Sequence, residues 1–177
     1  MNPRGRILGH ALFSDKSQIA LRLLTIGEAP AGLDLWRARL DAAIAFRRQL
    51  TIDATAFRLV HGEADLMPSL VVDQYDRHLV VQALSQGTER LLPRIVEMLQ
   101  DALAPAGLLA RHDVRVRQLE GLEQGVTLLA GEVPPLVTVR EGRVEHEVDL
   151  WHGQKTGLFL DQRENRIAAR QYARGRL

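Results

Sequence analysis

The chain has 177 residues, of which 46% are hydrophobic, with a net charge of +1 and no cysteine. That length holds one large or two small domains with a real core, and the missing cysteines exclude disulfides and thiolate metal sites. Six scattered histidines contain no pair at metal-ligand spacing, so no metal site is expected. No apolar run approaches the ~18 residues of a membrane span. No secretory-type apolar segment follows the basic opening Met1-Asn2-Pro3-Arg4-Gly5-Arg6, so the cytoplasm is the expected compartment.

Charge is unevenly placed. Residues 1–50 carry +4, residues 51–150 carry −7 and residues 151–177 carry +4. Contact with nucleic acid is therefore expected at the two ends of the chain. Arginine supplies 21 of the 23 cations, which suits forked phosphate contacts and equally a GC-rich genome.

In chain order, Arg6 to Phe13 and Gln18 to Thr25 read as two strands around a turn at Ser14-Asp15-Lys16. Two strands need a host sheet; without one they are a surface for self-association, and a homodimer is compatible with them. Asp34 is the candidate N-cap of a helix reaching Leu50, with Trp36, Leu40, Ala43, Ile44 and Leu50 as its inner stripe. Arg37, Arg39, Arg47 and Arg48 fall off that stripe, on a solvated face.

A strand is expected at Phe57, then a hairpin of Leu70-Val71-Val72 and Leu79-Val80-Val81 around Asp76-Arg77. His61-Gly62-Glu63-Ala64-Asp65 gathers a histidine and two carboxylates, but the spacing fits no ligand motif, and Gly62 and Pro68 mark a turn. A helix opens at Gly87 or Thr88 and runs to about Leu103, where Pro105 and Gly107 end it. Leu108 to His112 is a strand, and Arg111-His112-Asp113 with Arg115 and Arg117 reads as an exposed edge or loop. Leu136 to Val139 and Val144 to Leu150 form a second hairpin through Glu141-Gly142. Together these predict an α+β domain with a mixed or antiparallel sheet and one main helix.

Residues 153–166 are the most informative stretch: Gly153-Gln154-Lys155-Thr156-Gly157-Leu158-Phe159-Leu160-Asp161-Gln162-Arg163-Glu164-Asn165-Arg166. The two glycines predict a loop pinned by Leu158, Phe159 and Leu160. Asp161 and Glu164 fit an acidic capping pattern, so a helix is expected from Gln162, with Ile167, Ala168 and Tyr172 inward and Arg163, Arg166 and Arg170 on another face. Gln154 stands before Lys155 where a P-loop needs glycine, so this is not a Walker A loop. No Gly-x-Gly-x-x-Gly occurs either. By itself the segment fits two descriptions, a glycine turn with a solvated arginine-rich helix or a donor loop for a polar ligand.

The same fourteen residues closely resemble the signature Gly-Gln-Lys-Thr-Gly-Phe-Phe-Leu-Asp-Gln-Arg-Glu-Asn-Arg of the large-subunit rRNA cytosine-C5 methyltransferase I family, differing at Leu158. The resemblance extends to Gly9–Ser14, Ser17–Arg22, Phe57–Asp65, Leu70–Tyr75 and Glu120-Gly121-Leu122, and so spans nearly the whole chain. It departs at Asp65-Leu66-Met67-Pro68-Ser69, where the family has Asp-Gly-Leu-Pro-Gly and both glycines are replaced.

The resemblance implies an S-adenosylmethionine (SAM)-dependent enzyme acting on ribosomal RNA. It divides the chain into the C-terminal part of a PUA-like β-barrel (1–30), a linking helix (31–54), a central β-β-α-β-β domain (55–150) and the opening of a truncated methyltransferase domain (151–177), with the Rossmann-like domain itself absent. It also implies that the catalytic cysteines lie elsewhere, so that this chain has no catalytic residue, is inactive alone and does not bind SAM tightly. By resemblance, Gln154, Lys155, Thr156, Phe159, Asp161, Gln162 and Arg163 are the cofactor-facing candidates. Lys155, Arg163, Arg166 and Arg170 are the RNA-facing ones. The competing functional class is a non-catalytic RNA-binding or protein-interaction module, in which residues 153–166 are only a phosphate-contacting loop.

Overall fold

A computed structural model describes residues 5–173. Residues 1–4 and 174–177, among them Met1 to Arg4 of the basic opening and the outer ends of the expected 1–30 and 151–177 divisions, lie outside the described residues.

Strands β1 (Gly9–Phe13) and β2 (Leu21–Ile26) pair antiparallel as a separate hairpin, with a bulge at His10/Ala11. Helix α1 (Leu33–Gln49) follows, then β3 (Ala56–His61), β4 (Leu70–Tyr75), β5 (His78–Ala83), α2 (Gln86–Leu103), β6 (Gly107–Arg111), the short α3 (Val116–Leu119) and β7 (Val126–Gly131). The hairpin β8 (Val137–Glu141) and β9 (Val144–Val148) and the short α4 (Arg163–Ala169) complete the order. Strands β3 to β7 form one five-stranded sheet in sequence order, antiparallel except for the β5–β6 pair. That parallel pair requires a crossover, and α2 is it.

Both long helices lie on one face of the sheet. Trp36, Leu40, Ala43 and Ile44 of α1 and Leu92, Ile95 and Leu99 of α2 share a core with Leu59, Leu70, Val72, Leu79, Val81 and Leu108. On the opposite face, Ala56, Tyr75, Val80 and Leu109 meet Val137, Val139, Val148 and Leu150, with Leu158 and Leu160 packed alongside. The result is three layers: helices, sheet, and the β8–β9 hairpin with the 153–166 loop.

The expected fold class, an α+β domain with one main helix, does not describe this arrangement. Helix α1 buries its stripe in the same core as α2, because both stripes match the same apolar sheet face. Strand β7 was not expected; Val126-Thr127-Leu128-Leu129 is β-type, but it is short and flanked by loops on both sides. Asp34 does not cap α1, which begins at Leu33 after Gly32. No residue of α4 is buried, and Tyr172 is 79% exposed, so the expected inner stripe is not formed. Arg166 tethers that helix instead, donating to both carboxylate oxygens of Glu141 at 2.8 and 2.5 Å.

The departure at 65–69 has a backbone consequence. Leu66 and Ser69 stand at φ 58° and 62°, the left-handed conformation, where the resembled family has glycine. A side chain there costs about 1–2 kcal/mol, partly offset in a glycine by the greater freedom of its unfolded chain. Leu66 is exposed and bonds only through its backbone, its carbonyl accepting from Arg39 Nη1 at 2.6 Å and its amide donating to the Glu63 carbonyl at 3.1 Å, bonds a glycine keeps. Leu66→Gly should therefore raise stability by about 0.5–1 kcal/mol, read as a higher urea midpoint. A lower midpoint would refute strain at this turn.

Candidate functional site

The 153–166 segment is built onto the back of the sheet from its first residue. The carboxylate of Asp149 accepts the amides of Trp151 and His152 at 2.8 and 2.9 Å, and the Asp149 carbonyl accepts Gly153 N at 3.0 Å, turning the chain out of β9. Gly153 and Gly157 approach so closely that a β carbon on Gly153 would stand 3.1 Å from Gly157 Cα. Arg111 of β6, only 3% exposed, reaches across to donate to the carbonyls of Leu150 at 2.8 Å and Gly153 at 3.0 Å. Its hydrogen bonds to Asp113 hold that carboxyl below its ordinary range.

A second anchor is a buried chain of hydrogen bonds. The Thr156 hydroxyl donates to Asp73 Oδ2 at 2.7 Å, and its oxygen lies 2.8 Å from the Tyr75 hydroxyl. Since threonine has one hydroxyl proton, Tyr75 must donate to Thr156, while accepting the amide of Leu158 at 3.2 Å. Burial pushes the Tyr75 phenol up to about 12, and the Asp73 charge acts in the same direction. Asp73, directly after the run Leu70-Val71-Val72, is fully buried, and Arg58, its cross-strand partner on β3, grips both its oxygens at 2.8 and 3.1 Å.

Between this loop and the β3–α1 side lies a cleft of about 490 Å³. Arg47, Phe57, Arg58 and His61 line one wall; Lys155, Thr156, Phe159, Asp161 and Arg163 line the other. Lys155 sits at φ 62°, with its ammonium 5.5 Å from the centre of the Phe159 ring. Four cations line the cleft against the single lining carboxylate of Asp161, and three of them are paired with carboxylates set outside the lining: Arg47 with Asp65, Arg58 with Asp73 and Arg163 with Glu164.

Of the cofactor-facing candidates, Lys155, Thr156, Phe159, Asp161 and Arg163 therefore meet in one cleft. The Thr156 hydroxyl is fully engaged by Asp73 and Tyr75, which makes it a pin for the loop. Gln154 and Gln162 are exposed and do not line the cleft; Gln162 bonds Asn165 at 2.8 Å. Of the RNA-facing candidates, Arg166 is held by Glu141 and the Phe159 carbonyl, and Arg170 is exposed in a separate shallow pocket beside it.

Sequence reasoning missed Arg58, Asp73, Tyr75 and Arg111. One signal was available: a carboxylate within an apolar strand must find a partner, and Asp73 and Tyr75 share a face at strand spacing. The Arg111–Arg117 cluster, expected as an exposed edge or loop, is instead largely interior. Arg117 is 3% exposed and donates to the Ala83 carbonyl and Glu89.

No family model matches the chain. Among curated proteins it is similar to the Ribosomal RNA large subunit methyltransferase I of Photobacterium profundum, at 37% identity over 98% of this chain and 45% of the relative. The protein of that name from Tolumonas auensis is 36% identical over 99% and 46%, and that from Vibrio cholerae 35% over 96% and 44%. The chain thus spans less than half the length of the curated relatives it matches. Two solved structures share its fold at 20% sequence identity. A "putative methyltransferase complexed with SAH" superposes with a TM-score of 0.75 over 90% of this chain and 40% of that one. A "putative SAM-dependent methyltransferase from Streptococcus mutans" does so with 0.72 over 90% and 41%.

These structures overturn the expectation that a methyltransferase fold is absent, since nine-tenths of the chain superposes on such proteins. The β5–α2–β6 crossover in a mixed, helix-covered sheet is the feature residue patterns failed to reveal, because propensity does not say which strands run parallel. The chain's relatives are large-subunit rRNA methyltransferases, and its fold is one found in methyltransferase structures.

Proposed function

We propose that this chain is part of a SAM-dependent methyltransferase that modifies large-subunit ribosomal RNA at C5 of a cytosine. The observation that carries the reading is the basic cleft into which the 153–166 loop is locked by two buried anchors. The names of the relatives support an rRNA substrate, and the SAH-bound neighbour supports the cofactor. The choice of cytosine rests on the resemblance of residues 153–166 alone.

The cleft's donors fit the methionine end of SAM, which supplies the methyl group when bound. Lys155 and Arg163 offer cations to a carboxylate, and Phe159 offers an apolar face. Thr156 contributes by fixing the loop and Asp161 supplies a polar group of the cleft, while Gln154 and Gln162 stand outside it. In cytosine-C5 chemistry a cysteine thiolate adds to C6, and a base later removes the C5 proton. With no cysteine, this chain binds and positions and does not supply that nucleophile. Lys155, Arg163 and Arg170 are the RNA contacts in this reading, and β1–β2 belong to a PUA-like RNA-binding unit. The compartment is the cytoplasm.

Titration calorimetry of the 177-residue protein should show no SAM binding at micromolar concentration. Fluorescence anisotropy with a single-stranded rRNA oligonucleotide should show weak binding that falls steeply with salt and drops several-fold in Arg163→Ala. Micromolar SAM affinity would refute the division of labour, and salt-insensitive or absent RNA binding would refute the function.

A further inference from the structure

We propose that Arg58 is an oxyanion-binding residue of the cleft, one that takes a phosphodiester of a bound RNA strand. This rests on the RNA reading above and adds a residue on the wall opposite the 153–166 loop.

The cleft's cations are not equivalent. Arg47 donates from all three of its nitrogens, through Nη1 and Nη2 to Asp65 and through Nε to the Arg58 carbonyl, and is only 10% exposed. It is a strut. Arg58 donates through Nε and Nη2 to the two oxygens of Asp73, and its Nη1 has no hydrogen-bond partner among the described residues. Its side chain is 39% exposed, whereas Asp73 behind it is fully buried. A buried carboxylate therefore holds the guanidinium by one edge and leaves the other edge facing the cleft, the half-used fork that recognises an oxyanion.

Lys155 faces the same cleft from the other wall and has no carboxylate partner among the described residues; its ammonium lies over Phe159. Cations with free donors thus stand on both walls; Arg163, beside Lys155, spends its Nε on Glu164 at 3.0 Å. Lys155 and Arg163 on the loop wall suffice for a carboxylate, whereas a further cation on β3 matches a polyanion running through the cleft. Asp73 is a positioning residue here, orienting Arg58 on one wall and Thr156 on the other.

The test is anisotropy of a labelled single-stranded rRNA oligonucleotide against the whole chain. Arg58→Ala should weaken binding about tenfold and reduce the salt slope by about 0.7, the loss of one phosphate contact. Arg58→Lys should fall between, and Arg94→Ala, on the exposed face of α2, should bind as the wild type. If Arg58→Ala proves unstable, the wild-type protein decides the matter by NMR: the Arg58 Nε–H signal, assigned with Arg58→Lys, should shift on RNA titration. Normal RNA binding by folded Arg58→Ala, or an unmoved Nε–H signal, would overturn this inference and leave the RNA reading standing. No RNA binding by the wild type would overturn both. An Arg58 signal that responds to S-adenosylhomocysteine and not to RNA would assign the oxyanion to a cofactor carboxylate and overturn the proposal.

Discussion

Replacing Gly157 with alanine should cost the protein about 2–4 kcal/mol and detach the 153–166 loop from the sheet. Two independent penalties combine. The residue sits at φ 135°, a conformation close to glycine-only, and a β carbon there would stand 2.7 Å from Val148 Cγ1 and 2.8 Å from Leu150 Cδ2. Both neighbours belong to the buried layer over the back of the sheet, so neither can retreat without opening the core. Alanine at Gly153 meets a harder obstacle, the Asp149 carbonyl at 2.2 Å, and should cost at least as much. Urea unfolding followed by the fluorescence of Trp36 and Trp151 reads both effects. A Gly157→Ala midpoint within about 0.5 kcal/mol of wild type would show that the loop is not locked as described.

Asp73→Ala should be the most damaging change at the cleft, at about 2–4 kcal/mol. It leaves the buried Thr156 hydroxyl without its acceptor, worth about 1–3 kcal/mol, and removes the partner of Arg58. The second loss is the smaller, because Arg58 is 39% exposed and rehydrates. The substitution also has a spectroscopic signature. Tyr75 is raised to about 12 mainly by burial and secondly by the Asp73 charge, so the variant's phenol should ionise at a lower pH, seen in ultraviolet titration. In the wild type, a phenol whose pKa is raised on folding contributes stability that is full below about pH 10 and is lost as pH rises to about 12. An unchanged tyrosine titration together with an unchanged urea midpoint would remove Asp73 from the anchor.

The parts of the fold that local residue patterns revealed were those whose periodicity is unambiguous. Trp36, Leu40, Ala43 and Ile44 recur at helical spacing and are buried on α1; the two-residue turn Asp76-Arg77 joins β4 to β5, with Asp76 at φ 53°. Periodicity misled for α4, where Ile167, Ala168 and Tyr172 were expected inward and all three are exposed. It was silent on strand order and on the parallel β5–β6 pair, which are properties of pairing between distant segments. The clustering of Lys155, Thr156, Phe159, Asp161 and Arg163 was legible because they are close along the chain. The wall opposite them, from Arg47 to His61, was not, because about a hundred residues separate it from the loop.

By itself the sequence determined that no thiol chemistry resides in this chain, that its ends are basic, and that residues 153–166 carry the most specific signature. These are matters of composition and of contiguous residues. Only the tertiary structure decided what the signature is fastened to. Cross-strand pairing set Arg58 beside Asp73, and the packing of the loop on the back of the sheet brought Thr156 to the same carboxylate. That packing divides the signature in physical terms. Gly153, Thr156 and Gly157 hold the loop, Arg166 holds the helix after it, and Lys155, Phe159 and Arg163 are left to face the cleft.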